Sequence, residues 1–169
     1  MLFELSATAY LNMVYAAVCT FGFSVFFNLR GKKLIACTVG GSFAWMFYEL
    51  FAGYGTMAQF FIAGASIALY AEIMSRIMKA PGSIYIAPAL IPLVPGGALY
   101  RSMLHVLNGE NDLFISTGIE ALMIIGALTL GIVSVSSVAR LLFVKHLRNP
   151  YSHVIPDLDP DIDLNLTQF

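Results

Sequence analysis

Long apolar runs separated by short polar connections dominate the pattern along the chain. Four of these runs have the length of about 20 mostly apolar residues that a membrane-spanning helix needs. They cover residues 5–27, 34–52, 57–78 and 113–139. A further segment, residues 84–107, is equally long, but Pro88, Pro92 and Pro95 interrupt it. The pattern therefore predicts an all-α integral membrane protein with five transmembrane helices, of which the fourth is broken by prolines.

The composition identifies lipid as the surroundings of most of this surface. Of the 169 residues, 59% are hydrophobic and only 11% are charged, whereas about a quarter of a typical soluble domain is charged. So few charges cannot cover a water-facing surface. The formal net charge of −1 argues against a nucleic-acid partner, which would require a basic patch.

Residues 1–148 are predicted to form one membrane domain, because the connections between the apolar runs are short. The first run follows Glu4 and no basic segment, which indicates a retained span and not a cleaved signal peptide. Residues 149–169 are acidic, and we expect them to form a disordered cytosolic tail or, alternatively, a strip that docks on a partner. The acidic positions are Asp157, Asp159, Asp161 and Asp163.

Basic residues indicate the orientation, because loops rich in Lys and Arg stay in the cytosol. With five spans, Arg101 lies alone on one side and the other eight of the nine Lys and Arg residues lie on the opposite side. If the broken segment were re-entrant, the same residues would divide five against four. The bias therefore favours a full crossing, with the N-terminus outside and the C-terminus in the cytosol.

The broken segment is the first candidate for chemistry. Non-helical backbone survives at membrane depth only where it is buried in protein or lines a water-filled cavity. A second half-helix that starts near Pro95 would leave N–H groups uncovered at Gly96 and Gly97, at the positive end of the helix dipole. Arg101 follows Gly97 by four residues and adds a cation to the same face, and Tyr100 offers a hydroxyl. These residues are predicted to bind a carboxylate; a kink that merely shapes the bundle is the alternative.

Ionisable and amide side chains inside the spans are further candidates. Glu120 and Arg101 are predicted to lie about 10 Å and about 9 Å below the outer membrane surface, at 1.5 Å per residue. An ion pair between them would be either a structural clasp or a gate linked to substrate or protons. Asn12 either holds helices together or lines the transport path. Glu72 is expected to pair with Arg76, four residues later, near the membrane interface, with a role in transport as the alternative.

Several other polar and small residues have less specific interpretations. Glu49 and His105 are predicted to lie at the outer boundary, Glu49 in contact with solvent. Small residues four apart favour close helix packing, with a subunit interface as the alternative. These pairs are Gly40 and Ala44, Gly64 and Ala68, and Ala127 and Gly131.

Catalytic and metal-binding patterns are lacking, so we expect neither an enzyme nor a cofactor. The sequence contains no H-E-x-x-H, and Ala68 occupies the position where a nucleophile elbow starting at Gly64 has glycine. The histidines and cysteines have no metal-ligand spacing. These residues are His105, His146, His153, Cys19 and Cys37.

Two motifs resemble a known family. IPLVPGGALY, residues 91–100, is similar to the element I-P-x-x-P-G-x-x-x-Y in the C-terminal half of threonine/serine exporters, and it maps onto Pro92, Pro95, Gly96 and Tyr100. GFSVFFN, residues 22–28, resembles the end of the first span of that half. The resemblance implies that Asn28 contributes to gating or ion coupling.

The resemblance also implies partners and substrates. Family members occur as one chain of two five-span halves or as two separate small chains, and this chain resembles the separate second half, similar to the small subunit of a bacterial succinate exporter. It implies a bacterial plasma (inner) membrane, a second five-span subunit and a small carboxylate substrate, either threonine or serine, or succinate. An odd span count also suits one half of an inverted pair. The alternative is an accessory subunit that stabilises a transporter chain holding the whole site.

Overall fold

The computed structural model describes residues 7–144, with side chains for residues 8–141, and every regular element in that part is helical. The α-helices are α1 (Ala7–Phe26), α2 (Lys32–Leu50), α3 (Thr56–Met78), α4 (Ser83–Leu90), α5 (Gly96–Leu107) and α6 (Asn111–Val144). Short 3-10 turns lie at Ala52–Tyr54 and Ile91–Leu93. The all-α prediction is confirmed for these residues, and the predicted acidic tail lies outside them.

Three helices, α1, α3 and α6, are each long and apolar enough to cross a membrane. A fourth candidate crossing consists of α4 and α5 together, which bend by 51° at the break between them. α2 carries Lys32, Lys33 and Glu49 and falls short of that apolar content. The described residues therefore give three crossings, or four if the bent pair is one span, and the count of five remains a prediction.

α2 lies at the centre of the bundle, where it packs against α1, α3 and α4. Its buried positions are small, which lets neighbouring backbones approach. They are Ala36, Cys37, Gly40, Gly41 and Ala44. Because protein covers α2 on several sides, this helix needs less apolar surface than a helix surrounded by lipid.

The most extensive helix contact joins α3 to α6. A Cβ atom at Gly64 would overlap the carbonyl oxygen of Leu128, and one at Gly131 would overlap that of Phe61. The predicted close packing through these small residues is therefore confirmed, and it lies within this chain. The two helices run parallel, since Phe60 packs near Ile124 whereas Ile77 lines a groove with Val138.

The break separates two differently packed helices. α4 packs against α1, α2 and α3, and the 3-10 turn that follows it contacts α1. After the bend, α5 packs against α6. The 51° change of direction therefore carries the chain from the centre of the bundle to its flank.

Candidate functional site

The backbone conformation changes several times along the broken segment, at or next to its prolines. Pro88 lies inside α4, and Pro92 lies in the 3-10 turn that follows. Val94 is extended, and Pro95 has φ −74° and ψ 58°, the conformation of an inverse γ-turn. The Gly96 N–H closes this turn by donating to the Val94 carbonyl at 2.7 Å. α5 then begins, so the predicted start of the second half-helix near Pro95 is confirmed.

In the first turn of α5, two backbone N–H donors have no hydrogen-bond partner among the described residues. The Leu99 N–H donates to the Pro95 carbonyl at 3.1 Å, whereas the N–H groups of Gly97 and Ala98 meet no backbone carbonyl among residues 7–144. These donors lie at the positive end of the α5 dipole. Because the γ-turn uses the Gly96 N–H, the donor pair is Gly97 and Ala98, one residue later than predicted.

Arg101 covers this end of the helix. Its Nη1 atom lies 3.4 Å from the position that a Cβ would take at Gly97, which confirms that the two residues share a face. The guanidinium is exposed, and no carboxylate in the described part of the chain forms a salt bridge with it. A guanidinium beside free N–H groups at a helix N-terminus is an arrangement that favours an anion.

The remaining side chains of α5 show which way this site faces. Ala98 and Ser102 are buried, and the Ser102 hydroxyl donates to the Phe114 carbonyl at 3.4 Å, so this face meets α6. Tyr100 is 68% exposed on the opposite side of α5, and Gly96 and Gly97 are exposed as well. The candidate site therefore lies on the exposed flank of α5.

The predicted ion pair between Arg101 and Glu120 is wrong, because no salt bridge joins these two described residues. A Cβ at Gly118 would lie 3.3 Å from the Ser102 hydroxyl, so Gly118 faces α5. Glu120, two residues later, is turned by about 200° around α6 and is exposed. Arg101 and Glu120 were predicted to lie at similar membrane depth, but depth alone does not decide which faces of two helices are in contact.

Asn12 and Glu49 join α1 to α2. The Asn12 amide donates to Glu49 Oε1 at 3.0 Å, and the Trp45 indole N–H donates to the same oxygen at 3.2 Å. Glu49 is half-buried and accepts both of these hydrogen bonds, so it is less solvated than expected. Of the two interpretations of Asn12, this geometry supports the one in which it holds helices together.

Asn28 has a local structural role. It has φ 57° in the left-handed region, and its N–H donates to the Val25 carbonyl at 2.9 Å while the Leu29 N–H donates to the Ser24 carbonyl at 3.0 Å. These bonds form a Schellman motif that ends α1, a position that suits Asn. A part in gating remains a prediction.

Two ion pairs lie near helix ends. Arg76 Nη2 lies 3.1 Å from Glu72 Oε2, which confirms the predicted pair. His105 Nδ1 lies 2.6 Å from Glu110 Oε2 near the end of α5, and this is a salt bridge when the imidazole is protonated.

Sequence reasoning missed a group of buried polar side chains. Thr20 and Ser24 of α1 and Tyr85 of α4 are almost fully buried, and their hydroxyls have no hydrogen-bond partner in the part of the chain that the structure describes. Cys37 of α2 is buried beside Ser24 and Tyr85. The only signal in the sequence was the spacing of four between the two hydroxyl residues of α1, which places them on one face.

The described residues were compared with the ligand sets that metal ions require. Among the described residues, no three His, Cys, Asp or Glu side chains come together as metal ligands. Cys19 and Cys37 are both free thiols. His146 and His153 lie outside the described residues.

Comparison with known proteins gives one finding about the family. A family model described as Threonine/Serine exporter, ThrE, matches residues 12–138. The match includes α2, α3, α4 and α5 completely, and therefore the whole broken segment and Arg101. No solved structure matches the chain.

Proposed function

The chain belongs to the threonine/serine exporter family, and from this premise we propose that it is one half of a secondary exporter for small carboxylate metabolites. The observation that carries this proposal is the start of α5. There, two N–H groups and a guanidinium that have no partner among the described residues lie beside a break in a helix of a multi-pass membrane protein.

The carboxylate is bound by the N–H groups of Gly97 and Ala98 and by the Arg101 guanidinium. A negative charge at a helix N-terminus gains about 0.3–1 kcal/mol from the dipole, and up to about 2 kcal/mol when partly buried. A hydrogen bond to a charged group adds roughly 1.5–3 kcal/mol. Pro95 fixes the γ-turn before these donors, so they are oriented before the substrate arrives.

The chain crosses the membrane five times, with α2 as the additional crossing and with the N-terminus outside. The eight-to-one division of basic residues supports this arrangement. So does the central position of α2, whose Lys32 and Lys33 begin the helix at the basic end. A second five-span subunit of opposite topology completes the site by covering the exposed flank of α5.

The substrate carries at least one carboxylate. Threonine and serine are the substrates that the family name gives, and succinate follows from the resemblance to separate small subunits. Transport by alternating access, driven by a proton or another ion gradient, fits a site at the junction of two repeats in the bacterial plasma membrane.

Export of labelled threonine, serine and succinate tests the proposal in cells that express this chain with and without the product of its neighbouring gene. Arg101→Gln removes the cation, and we expect the apparent affinity for the exported carboxylate to fall roughly tenfold to a hundredfold. Arg101→Lys keeps the charge without the planar fork and is expected to retain part of the function. Arg30→Gln, which removes an exposed cation from a loop, is the matched control.

The same experiment separates the proposal from the accessory role. If Arg101→Gln and Gly97→Ala export normally, the carboxylate site is not in this chain. If the amount of the partner in the membrane also falls when this chain is absent, the accessory subunit is the correct interpretation.

A further inference from the structure

A cluster of buried hydroxyl groups lies at the opposite end of α4 from the break. We define the hydroxyl cluster as the three hydroxyl residues Thr20, Ser24 and Tyr85 together with the neighbouring thiol residue Cys37. Thr20 and Ser24 are 0% exposed, and so is Cys37, while Tyr85 is 1% exposed. The cluster joins the last part of α1 to the first parts of α2 and α4, on the side of the α1–α2 connection that contains Arg30.

The contacts within the cluster follow the register of α1 against α2. A Cβ at Gly41 would overlap the Thr20 side chain, so this hydroxyl fits against a glycine of α2. One turn away, Ser24 lies beside the Cys37 thiol, four residues before Gly41. The sulfur is only a weak acceptor for this hydroxyl, and the geometry of the contact does not make a full hydrogen bond. Tyr85 lies near the same thiol. The hydroxyls therefore follow one seam between the helices.

Three hydroxyls in this seam lack partners in the described part of the chain. The neighbouring polar groups are already engaged, since the Cys37 thiol donates to the Ile84 carbonyl at 3.5 Å and the Tyr70 hydroxyl donates to the Ala36 carbonyl at 2.7 Å. Leaving one buried hydroxyl without a partner costs free energy, and such groups in native proteins have a partner or an ordered water. Three such hydroxyls along one interface indicate that the interface contains ordered water.

The charges nearby favour a neutral partner. Glu49 and Glu72 are the acidic side chains that the structure describes on α1, α2, α3 and α4. Glu49 accepts hydrogen bonds from Asn12 and Trp45, and Glu72 pairs with Arg76. A cation in the seam would lack a counter-charge, whereas water needs two to four polar partners and no charge.

We propose that the hydroxyl cluster is an internal hydration site, in which ordered water accepts and donates the hydrogen bonds of Thr20, Ser24 and Tyr85. The site is distinct from the carboxylate site at α5. Tyr85 precedes the 3-10 turn of the break by six residues, about 9 Å along the helix axis. The interface of α1, α2 and α4 is therefore held by water at this end and by apolar packing near the break.

Removing a hydroxyl of the cluster should change the thermal midpoint in opposite directions in a hydrated interface and in a dry one. Tyr85→Phe removes the hydroxyl from the full chain in detergent micelles without adding volume. If water bonds to this hydroxyl, its removal lowers the thermal midpoint, by about 2–4 °C. If the seam is dry, removal of an unpaired hydroxyl raises the midpoint. Ser24→Ala should have the same sign, and Tyr54→Phe, at a 70% exposed loop position, is the control that should change nothing.

A second measurement detects the water directly. Brief X-ray radiolysis in ¹⁸O-labelled water oxidises side chains that touch water, and mass spectrometry locates the label. After each rate is divided by that of the free amino acid, because tyrosine is intrinsically more reactive, we expect Tyr85 to be labelled several-fold faster than Phe60. Phe60 is buried in a separate, apolar cluster. Labelling of Tyr85 no faster than Phe60, or a midpoint that Tyr85→Phe leaves unchanged or raises, would overturn the proposal. A cation is the alternative occupant. If the thermal midpoint of the unchanged protein is higher in NaCl than in choline chloride, and Tyr85→Phe abolishes this difference, the site binds a cation and the proposal is wrong.

Discussion

Replacement of Gly131 by alanine tests the contact on which the bundle depends. The added Cβ would overlap the carbonyl oxygen of Phe61 and lie 2.9 Å from the backbone nitrogen of Ala65. Both obstacles belong to the backbone of α3, so no side-chain rotation relieves them. Ordinary contact distances are about 3.5–4.0 Å, so α3 and α6 must separate by roughly 1 Å around this point.

The expected loss follows from that separation. A gap of about 0.5–1 Å forfeits a quarter to a half of the dispersion energy of the atoms facing it, and overpacking usually costs about 1–3 kcal/mol. Since α3 and α6 form the most extensive helix contact, we expect the upper part of this range, about 3 kcal/mol. At about 2–4 °C per kcal/mol for a chain of this size, the thermal midpoint should fall by roughly 6–12 °C.

Gly126→Ala is the matched control for this experiment. Gly126 lies in the same helix, and a Cβ there meets nothing within 4 Å. Alanine is a better helix former than glycine, so the midpoint of this variant should stay unchanged or rise. The assay is thermal unfolding followed by size-exclusion chromatography of the remaining dispersed protein. Equal midpoints for Gly131→Ala and Gly126→Ala would refute the close approach of α3 and α6.

Substitutions at three further positions test other features of the structure, each by the same thermal assay. Asn12→Asp places a second carboxylate against Glu49 and should lower the midpoint more than Asn12→Ala, which loses about 1 kcal/mol; equal effects would contradict the direct contact. Gly109→Ala should cost about 1–2 kcal/mol because its φ of 75° is left-handed, and a neutral result would contradict that conformation. Glu120→Gln should leave the midpoint within about 2 °C, since no described residue pairs with this side chain; a large fall would reveal a missing partner.

The helices themselves could be predicted from the sequence because short connections leave little choice of boundary. The run predicted at residues 57–78 corresponds to α3, Thr56–Met78, and the prolines predicted the break before α5. Both predictions use information that is local in the chain. The conformation of Pro95 is also local, but the sequence did not predict its γ-turn. That turn uses the Gly96 N–H, so the unpaired donors among the described residues are those of Gly97 and Ala98 and not those of Gly96 and Gly97.

The small residues predicted close packing, but which helices and which side chains contact each other could not be predicted. A span in lipid is apolar on all sides, and no periodic stripe marks its inner face. Arg101 and Glu120 were therefore paired by depth, although they face different directions around their helices. The partner of Glu49 lies 37 residues away at Asn12. The hydroxyl of Tyr85 is buried, as is that of Thr20, and neither differs in the sequence pattern from the lipid-facing residues around it.

The lengths of α3 and α6 give the molecule a stepped end. α6 has 34 residues and α3 has 23, and the contact of Gly64 with Leu128 aligns them so that about the first ten residues of α6 extend past Thr56. That overhang is about 15 Å at 1.5 Å per residue, close to the thickness of one hydrocarbon leaflet. A flat lipid surface cannot meet both the α5–α6 connection and the Ala52–Tyr54 turn. Ser102 lies beside Gly118, so Gly97 and Arg101 lie at the foot of the step, on a ledge level with the start of α3.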